Sequence, residues 1–173
     1  MNCKSNKEIL RHRAKLLAKK PENKENQGFC LEIVEFQLAH ERYGIEAEYI
    51  CEVWPLKDFT PLPFTPPFIM GIINVRGQIL SLMDIKKFFD LPDKGISDLN
   101  KVIIVHFNEM ELGILADIII GVQSVPLSAI QPPLPTLSGI NESYLKGITK
   151  DRLIILDSQK ILSDEKIIVH EKI

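Results

Sequence analysis

Histidine, cysteine and paired carboxylates are the side chains that most often carry catalysis or hold a metal, and in this chain they are scattered. His12, His40, His106 and His170 show neither HxxxH nor HExxH spacing, and there is no GxSxG elbow, GxxxxGK loop or GxGxxG turn. Cys3, Cys30 and Cys51 lie far apart without CxxC spacing, which excludes a local zinc or redox motif and reads as reduced, buried, small apolar residues. Glu48 and Asp117 have no acid/base partner nearby in sequence, so each reads as a solvent-facing or hydrogen-bonded strand residue. No local motif assigns a catalytic residue, a metal or a cofactor; an enzyme would need a site assembled from distant residues.

The chemistry that remains is recognition. In residues 68–80 two apolar runs flank Asn74-Val75-Arg76-Gly77, which reads as a four-residue turn. Asn74 can bond nearby backbone there, and Gly77 can take the positive φ of a tight bend. Arg76 then stands at the turn, either solvated or as a planar donor set that pairs with a carboxylate and faces a partner.

An arginine presented in this way needs a frame. The chain has 173 residues, 45% hydrophobic and 25% charged, as in ordinary globular proteins and unlike disordered or fibrous ones. A chain of this length buries roughly 70% of its unfolded surface, enough for one core or for two small cores that share an interface. No run reaches the roughly 18 apolar residues of a bilayer span. The nearest, residues 112–122, is cut by Asp117 and reads as a core strand. The first residues are charged every few positions and lack the apolar centre of a secretory signal, so a cytoplasmic protein without membrane insertion is expected.

The net charge of −2 hides an asymmetry. Residues 1–27 hold eight Lys/Arg and three Glu, net +5, which leaves 13 basic and 20 acidic residues, net −7, in residues 28–173. Within residues 7–20, Ile9, Leu10, Leu16 and Leu17 recur at helical spacing among Lys and Arg, with Ser5 as a possible N-cap and Pro21 as a stop. Residues 21–27 contain no apolar residue and read as a linker. Such a basic amphipathic helix either grips a partner or an anionic surface, or remains a solvated appendage. The acidic body with few aromatic residues is a poor footprint for nucleic acid, and none is expected as a partner.

Beyond residue 28 the period becomes that of strands. Val34, Phe36 and Leu38 alternate with Glu35 and Gln37, and Ile103, Val105 and Phe107 alternate with Ile104 and His106, a half-buried pattern. Eleven Pro and nine Gly break the apolar runs at the short intervals of small barrels. The order of features then repeats. Gly44-Ile45-Glu46-Ala47-Glu48 returns 69 positions later as Gly113-Ile114-Leu115-Ala116-Asp117, and Pro55-Leu56 returns as Pro126-Leu127. Gly71-Ile72 and Arg76 return at an offset of 76 as Gly147-Ile148 and Arg152, and Asp84 with Lys87 at 73 as Asp157 with Lys160. Offsets that drift by a few residues are what loop insertions between shared strands produce, so two copies of one barrel are expected, about 29–91 and 101–162. Asp84 and Asp157 each precede a short amphipathic segment, where a carboxylate would cap free backbone amides.

Tyr43-Gly44-Ile45, Glu52-Val53, Pro67-Phe68-Ile69 with Gly71-Ile72-Ile73-Asn74-Val75-Arg76-Gly77, and Asp84-Ile85 together resemble the CheW chemotaxis coupling proteins. The second half fits through Leu112-Gly113-Ile114-Leu115-Ala116-Asp117, Tyr144-Leu145 with Gly147-Ile148, and Ile154-Ile155-Leu156-Asp157, so the similarity covers about residues 29–163. The resemblance implies a mainly β fold of two intertwined five-stranded SH3-like barrels, with the basic extension 1–27 before the 28–173 domain and a short helix after each barrel. It implies no catalysis, metal or cofactor. Such proteins bridge the cytoplasmic hairpin tips of chemoreceptors to the regulatory domain of a CheA-type histidine kinase. By position, Ile50, Glu52, Asn74, Arg76 and Gly77 resemble the family's receptor-facing set, with Glu52 and Arg76 paired. Gly71 resembles a site of close backbone approach. The same adaptor role in another output, such as pilus-based motility, is the alternative, and a barrel enzyme with a nonlocal site the more distant one. Ser81 departs from the family's usual proline, and the length of residues 1–27 points to an added partner or a specialised receptor system.

Overall fold

The computed structural model describes residues 28–92, 95–97, 100–133 and 142–167. Ten strands dominate: β1 (Cys30–Leu38), β2 (Glu41–Glu46), β3 (Ile50–Pro55), β4 (Ile69–Val75), β5 (Gln78–Met83), β6 (Lys101–Phe107), β7 (Met110–Ala116), β8 (Ile118–Pro126), β9 (Leu145–Ile148) and β10 (Leu153–Leu156). Two short helices follow β5 and β10, α1 (Ile85–Phe88) and α2 (Ser158–Leu162). Each is started by an aspartate as its cap: Asp84 accepts from the Lys86 amide at 3.0 Å and Asp157 from the Lys160 amide at 3.1 Å. The expected basic helix in residues 7–20 lies outside the described residues.

The strands form two five-stranded sheets, sheet I in the order β8-β1-β2-β10-β9 and sheet II in the order β3-β6-β7-β5-β4. The repeat therefore runs β1–β5 and β6–β10, but its copies are not the spatial units. Each copy places its first two strands in one sheet and its last three in the other, so the two five-stranded units are intertwined, as the resemblance implies, and each draws strands from both the 29–91 and the 101–162 copy. The cause is a parallel pairing that crosses between copies: β10 lies beside β2, and β5 beside β7. Each sheet is open, because its end strands are not hydrogen-bonded to one another.

Ladder registers refine the repeat. Glu52 pairs with Ile104 and Trp54 with Val102, while Gly121 pairs with Glu35 and Gln123 with Ile33. Glu52 and Trp54 are thus the counterparts of Gly121 and Gln123 at the same offset of 69. Pro55 faces Lys101, whose counterpart Glu32 faces Ser124, so Pro126 lies two pairs beyond the true equivalent of Pro55.

Three apolar clusters hold the sheets. The central one draws Phe36, Leu38, Tyr43 and Ile45 from sheet I and Met83, Ile103, Val105 and Ile114 from sheet II, and so binds the two sheets face to face. Sheet II has its own outer cluster, which includes Ile73, Leu82, Val102 and Ile104; sheet I has a smaller one of Ile33, Val125, Leu153 and Ile155. In β6, Ile103 and Val105 face the central cluster while Val102 and Ile104 face the outer one, so this strand is buried on both faces rather than half-buried as expected. Residues 112–122 are not one core strand either: β7 ends at Ala116, β8 begins at Ile118, and Asp117 is where the chain crosses from sheet II to sheet I. Cys30 and Cys51 are exposed, against the expectation of buried thiols, because both lie on outward positions of edge or end segments.

Candidate partner-binding site at the hairpin of β4 and β5

Val75 faces Gln78 across the ladder, so the turn is centred on Arg76 and Gly77, one residue later than the sequence suggests. A two-residue hairpin loop whose twist matches its strands needs positive φ at both central positions. Arg76 has φ 52° and Gly77 φ 89°. Gly77 adopts this freely, whereas an arginine in the left-handed region costs roughly 1–2 kcal/mol. Asn74 offsets part of that cost, since its Oδ1 accepts from the Gly77 amide at 2.8 Å.

The turn carries Arg76 across an open seam. β3 and β4 stand at opposite ends of sheet II, yet Arg76 Nη2 lies 3.0 Å from Glu52 Oε2 on β3. Sheet II is therefore curled until its ends approach, and the gap is spanned by side chains rather than a backbone ladder. The Arg76 guanidinium also lies 5.6 Å from the ring centre of Trp54, within cation–π range. Residues alternate along β3, so Glu52 and Trp54 share a face and meet the arginine together. Beneath them a cleft of about 280 Å³ runs along the seam, lined by Trp54, Leu56, Ile73, Asn74 and Val102. The Arg76 side chain is 72% exposed despite these contacts, so its free donors face outward.

The other expected residues fall around this cluster at different distances in the fold. Ile50 begins β3 and is half-buried against the central apolar cluster. Gly71, with φ 151°, sits where a Cβ would fall 2.1 Å from the Thr60 carbonyl oxygen, and Thr60 and Ile72 exchange backbone hydrogen bonds of 2.8 and 2.9 Å across that point. That contact lays the segment before β4 along the outer edge of sheet II. Asp84 caps α1 and stands apart from the turn. The structure adds Trp54 and Ile79 to the expected set; Ile79 lies opposite Asn74 in the ladder and is exposed. The two-residue spacing from Glu52 to Trp54 is the one signal that could have placed both on one face of a strand, and nothing in the sequence links Trp54 to Arg76.

Near the site, Cys51 Sγ lies 3.3 Å from His106 Nδ1. Partial burial, and then the Glu111 carboxylate, push this thiol above its ordinary value, which favours the protonated, unreactive form. Among the described residues no group of three or more His, Cys, Asp or Glu is placed to hold a metal ion. What the cluster can do is offer an oriented, planar cation beside an aromatic ring and an apolar cleft. Among the described residues no helix is long and apolar enough to cross a membrane.

The family model for the CheW-like domain matches residues 32–166. A chemotaxis protein CheW of Treponema pallidum is 30% identical over 143 residues, covering 79% of this chain and 84% of that protein. Protein FrzA of Myxococcus xanthus is 30% identical over 126 residues, covering 73% and 75%. Among solved structures, the scaffolding protein TtCheW from Thermoanaerobacter tengcongensis superposes with a TM-score of 0.71 at 31% identity, covering 83% of this chain and 95% of that one.

Proposed function

The chain belongs to the CheW-like domain family, and from that premise we propose that it is an adaptor that couples chemoreceptors to a CheA-type histidine kinase in chemotaxis signalling. The adaptor works by contact, not by making or breaking bonds. The observation that carries the reading is the Arg76 cluster: an exposed arginine is held in a left-handed turn, at a cost to stability, with its donors facing solvent. A strained residue on a rigid frame is a device for presentation.

In this reading Arg76, oriented by Glu52 and Trp54, meets the cytoplasmic hairpin tip of a receptor. Asn74 and Gly77 fix the turn, and Ile50 adds apolar area at the far end of β3. The exposed ion pair stabilises the fold by only about 0–1 kcal/mol, so its value is in aiming the guanidinium. Other strand edges remain for the regulatory domain of the kinase. The similarity to protein FrzA is consistent with a second reading, the same adaptor role in another output such as pilus-based motility.

The test is Arg76→Ala in the full chain, with calorimetric binding to a receptor hairpin fragment and kinase activity in the ternary mixture. Binding at least tenfold weaker and loss of kinase control are expected, with the fold retained at a cost of about 1 kcal/mol in urea unfolding. Unchanged binding and control in a folded variant would reject the site.

A further inference from the structure

Among the described residues Phe64 is the most exposed large apolar side chain, at 105%. It is also strained. Pro63 fixes its own φ at about −65° and Phe64 follows at φ 62°, the succession of a type II turn, whose second central position favours glycine or asparagine. A bulky side chain in the left-handed region is an outlier that carries a conformational cost. The loop holds it there nonetheless: the Thr65 hydroxyl donates to the Leu62 carbonyl at 3.0 Å, the Ile69 amide donates to the Pro66 carbonyl at 2.9 Å, and Pro61, Pro63, Pro66 and Pro67 limit the freedom of the rest. Phe64 precedes β4 and Arg76 follows it, so roughly 20 Å of strand separates this ring from the arginine cluster. A stiff, strained loop that holds a bare ring in water is a device for inserting that ring into a pocket.

The same chain carries a hole of matching kind. Leu38, Ala39, Leu91 and Pro92, with Glu41 and Asp90 beside them, line a cavity of about 310 Å³ between the turn of β1 and β2 and the segment after α1. Leu38 belongs to the central apolar cluster and Leu91 packs against it, so the floor of the cavity is rigid. Ala39 at φ 54° and Asp90 at φ 56° set its walls in the same uncommon backbone region as the ring. An apolar cavity of about 150 Å³ is enough to hold benzene, so this one has room for a phenyl ring. Phe64 does not fill it within its own chain, because the ring is fully exposed. A knob and a hole at separate places on one surface join copies of a chain to one another. We propose that Phe64 of one copy inserts into this cavity of a second copy, so that the protein associates with itself. A single ring buries little area, so the contact is weak and acts where copies are already held close together.

Photocrosslinking of the full chain tests the proposal. With a benzophenone analogue of phenylalanine at position 64, a mixture of isotopically labelled and unlabelled protein at about 100 μM should form mixed cross-links that map to residues 38–41 and 90–92. Pro92→Arg, a change at an exposed position that sets a charge in the cavity, should lower their yield at least tenfold with far-ultraviolet circular dichroism unchanged. In sedimentation equilibrium the mass of the parent should rise with concentration, whereas Phe64→Asn, which suits the turn and folds without the strain, should stay monomeric. Phe64→Asn keeps the hole and Pro92→Arg keeps the knob, so a mixture of the two should associate where neither does alone. Cross-links confined to one chain, mixed cross-links that map elsewhere, or a Phe64→Asn mass that rises as the parent's does would each overturn the proposal. So would cross-links that form only on addition of a receptor hairpin fragment or of the kinase and that map to it, which would assign the ring to that partner instead.

Discussion

The two copies of the repeat reach the same fold and are put to different use. Both hairpins that follow the crossing place an arginine in the left-handed region, Arg76 at φ 52° and Arg152 at φ 61°. Only the first finds a carboxylate and an aromatic ring on the strand across the seam, because the counterparts of Glu52 and Trp54 are Gly121 and Gln123. Gln123 is exposed and donates instead to Glu35 on the neighbouring strand, which also holds Arg42 at 3.0 Å. Sheet I thus spends its polar side chains on internal contacts, and sheet II directs its own to the surface. Duplication preserved the backbone that aims an arginine, and two side chains decide whether it is aimed at anything.

A second pair of equivalent positions differs more sharply. Lys86 in α1 is fully buried and donates to Asp117 at 2.8 Å; Asp117 also accepts from Asn100 at 3.1 Å and from the Ala39 amide at 2.8 Å. This knot ties α1 to the crossing between the sheets. The counterpart of Lys86 is Gln159, whose exposed amide donates to the Tyr49 hydroxyl at 2.6 Å, beside the exposed Glu48 that matches Asp117. Removing one partner of a buried pair costs about 3–5 kcal/mol, whereas surface contacts are worth within about 0.5 kcal/mol. Lys86→Ala should therefore destabilise by roughly 3 kcal/mol in urea unfolding, and Gln159→Ala hardly at all. Equal losses would mean the copies share the load and the contrast is only geometric.

The arginines give the next contrast. Asparagine tolerates the left-handed region better than arginine, so Arg152→Asn should raise stability by about 1 kcal/mol. Arg76→Asn gains the same relief but loses an exposed ion pair and a cation–π contact, together roughly 1 kcal/mol, and should leave the unfolding midpoint almost unchanged. A clear gain at both positions would show that Arg76 draws nothing from Glu52 and Trp54.

Much of this was legible in the sequence, and the failures have physical reasons. The ordered recurrence of Gly44, Gly71 and Asp84 marks the duplication, because those residues meet close-approach and capping requirements that each copy repeats. The exchange of strands between sheets leaves no trace there, since a backbone ladder does not record which copy its partner comes from. β6 was read by alternation, yet Val102-Ile103-Ile104-Val105 is the continuous apolar run of a strand buried on both faces. Burial of Lys86 rests on an aspartate 31 residues away, and of two adjacent lysines nothing local tells which is buried. The turn residues around Arg76 stood out from their types alone, but the receptor-facing assignment came from family resemblance, and Trp54 emerged only once the curl of sheet II brought β3 to the turn.

The smallest contrast lies where the copies meet. Phe68 and Tyr144 are equivalents at the offset of 76, and both pack edge-on against Phe88, with ring centres 5.1 Å away in each case. Only Tyr144 has a hydroxyl, which donates to the Asp164 carboxylate. That hydrogen bond, followed by the Lys166 amide and charge, holds Asp164 below its ordinary 3.8 despite partial burial. The same bond, then burial and the negative charge of Asp164, raises the Tyr144 phenol above its ordinary 10.0. Tyr144→Phe makes the second copy resemble the first, and the loss at neutral pH should be about 0.5 kcal/mol, because the group is largely solvated. A depressed carboxylate stabilises above its unfolded value, and that contribution disappears as pH falls through the lower folded value. A raised phenol stabilises below its unfolded value, and that contribution disappears as pH rises through the higher folded one. The gap between parent and variant in urea unfolding should therefore be widest between about pH 5 and 9 and close below 3.8 and above 10.0. A gap that persists unchanged at acid pH would place the difference in ring packing, and the two aromatic positions would then differ in shape rather than in charge.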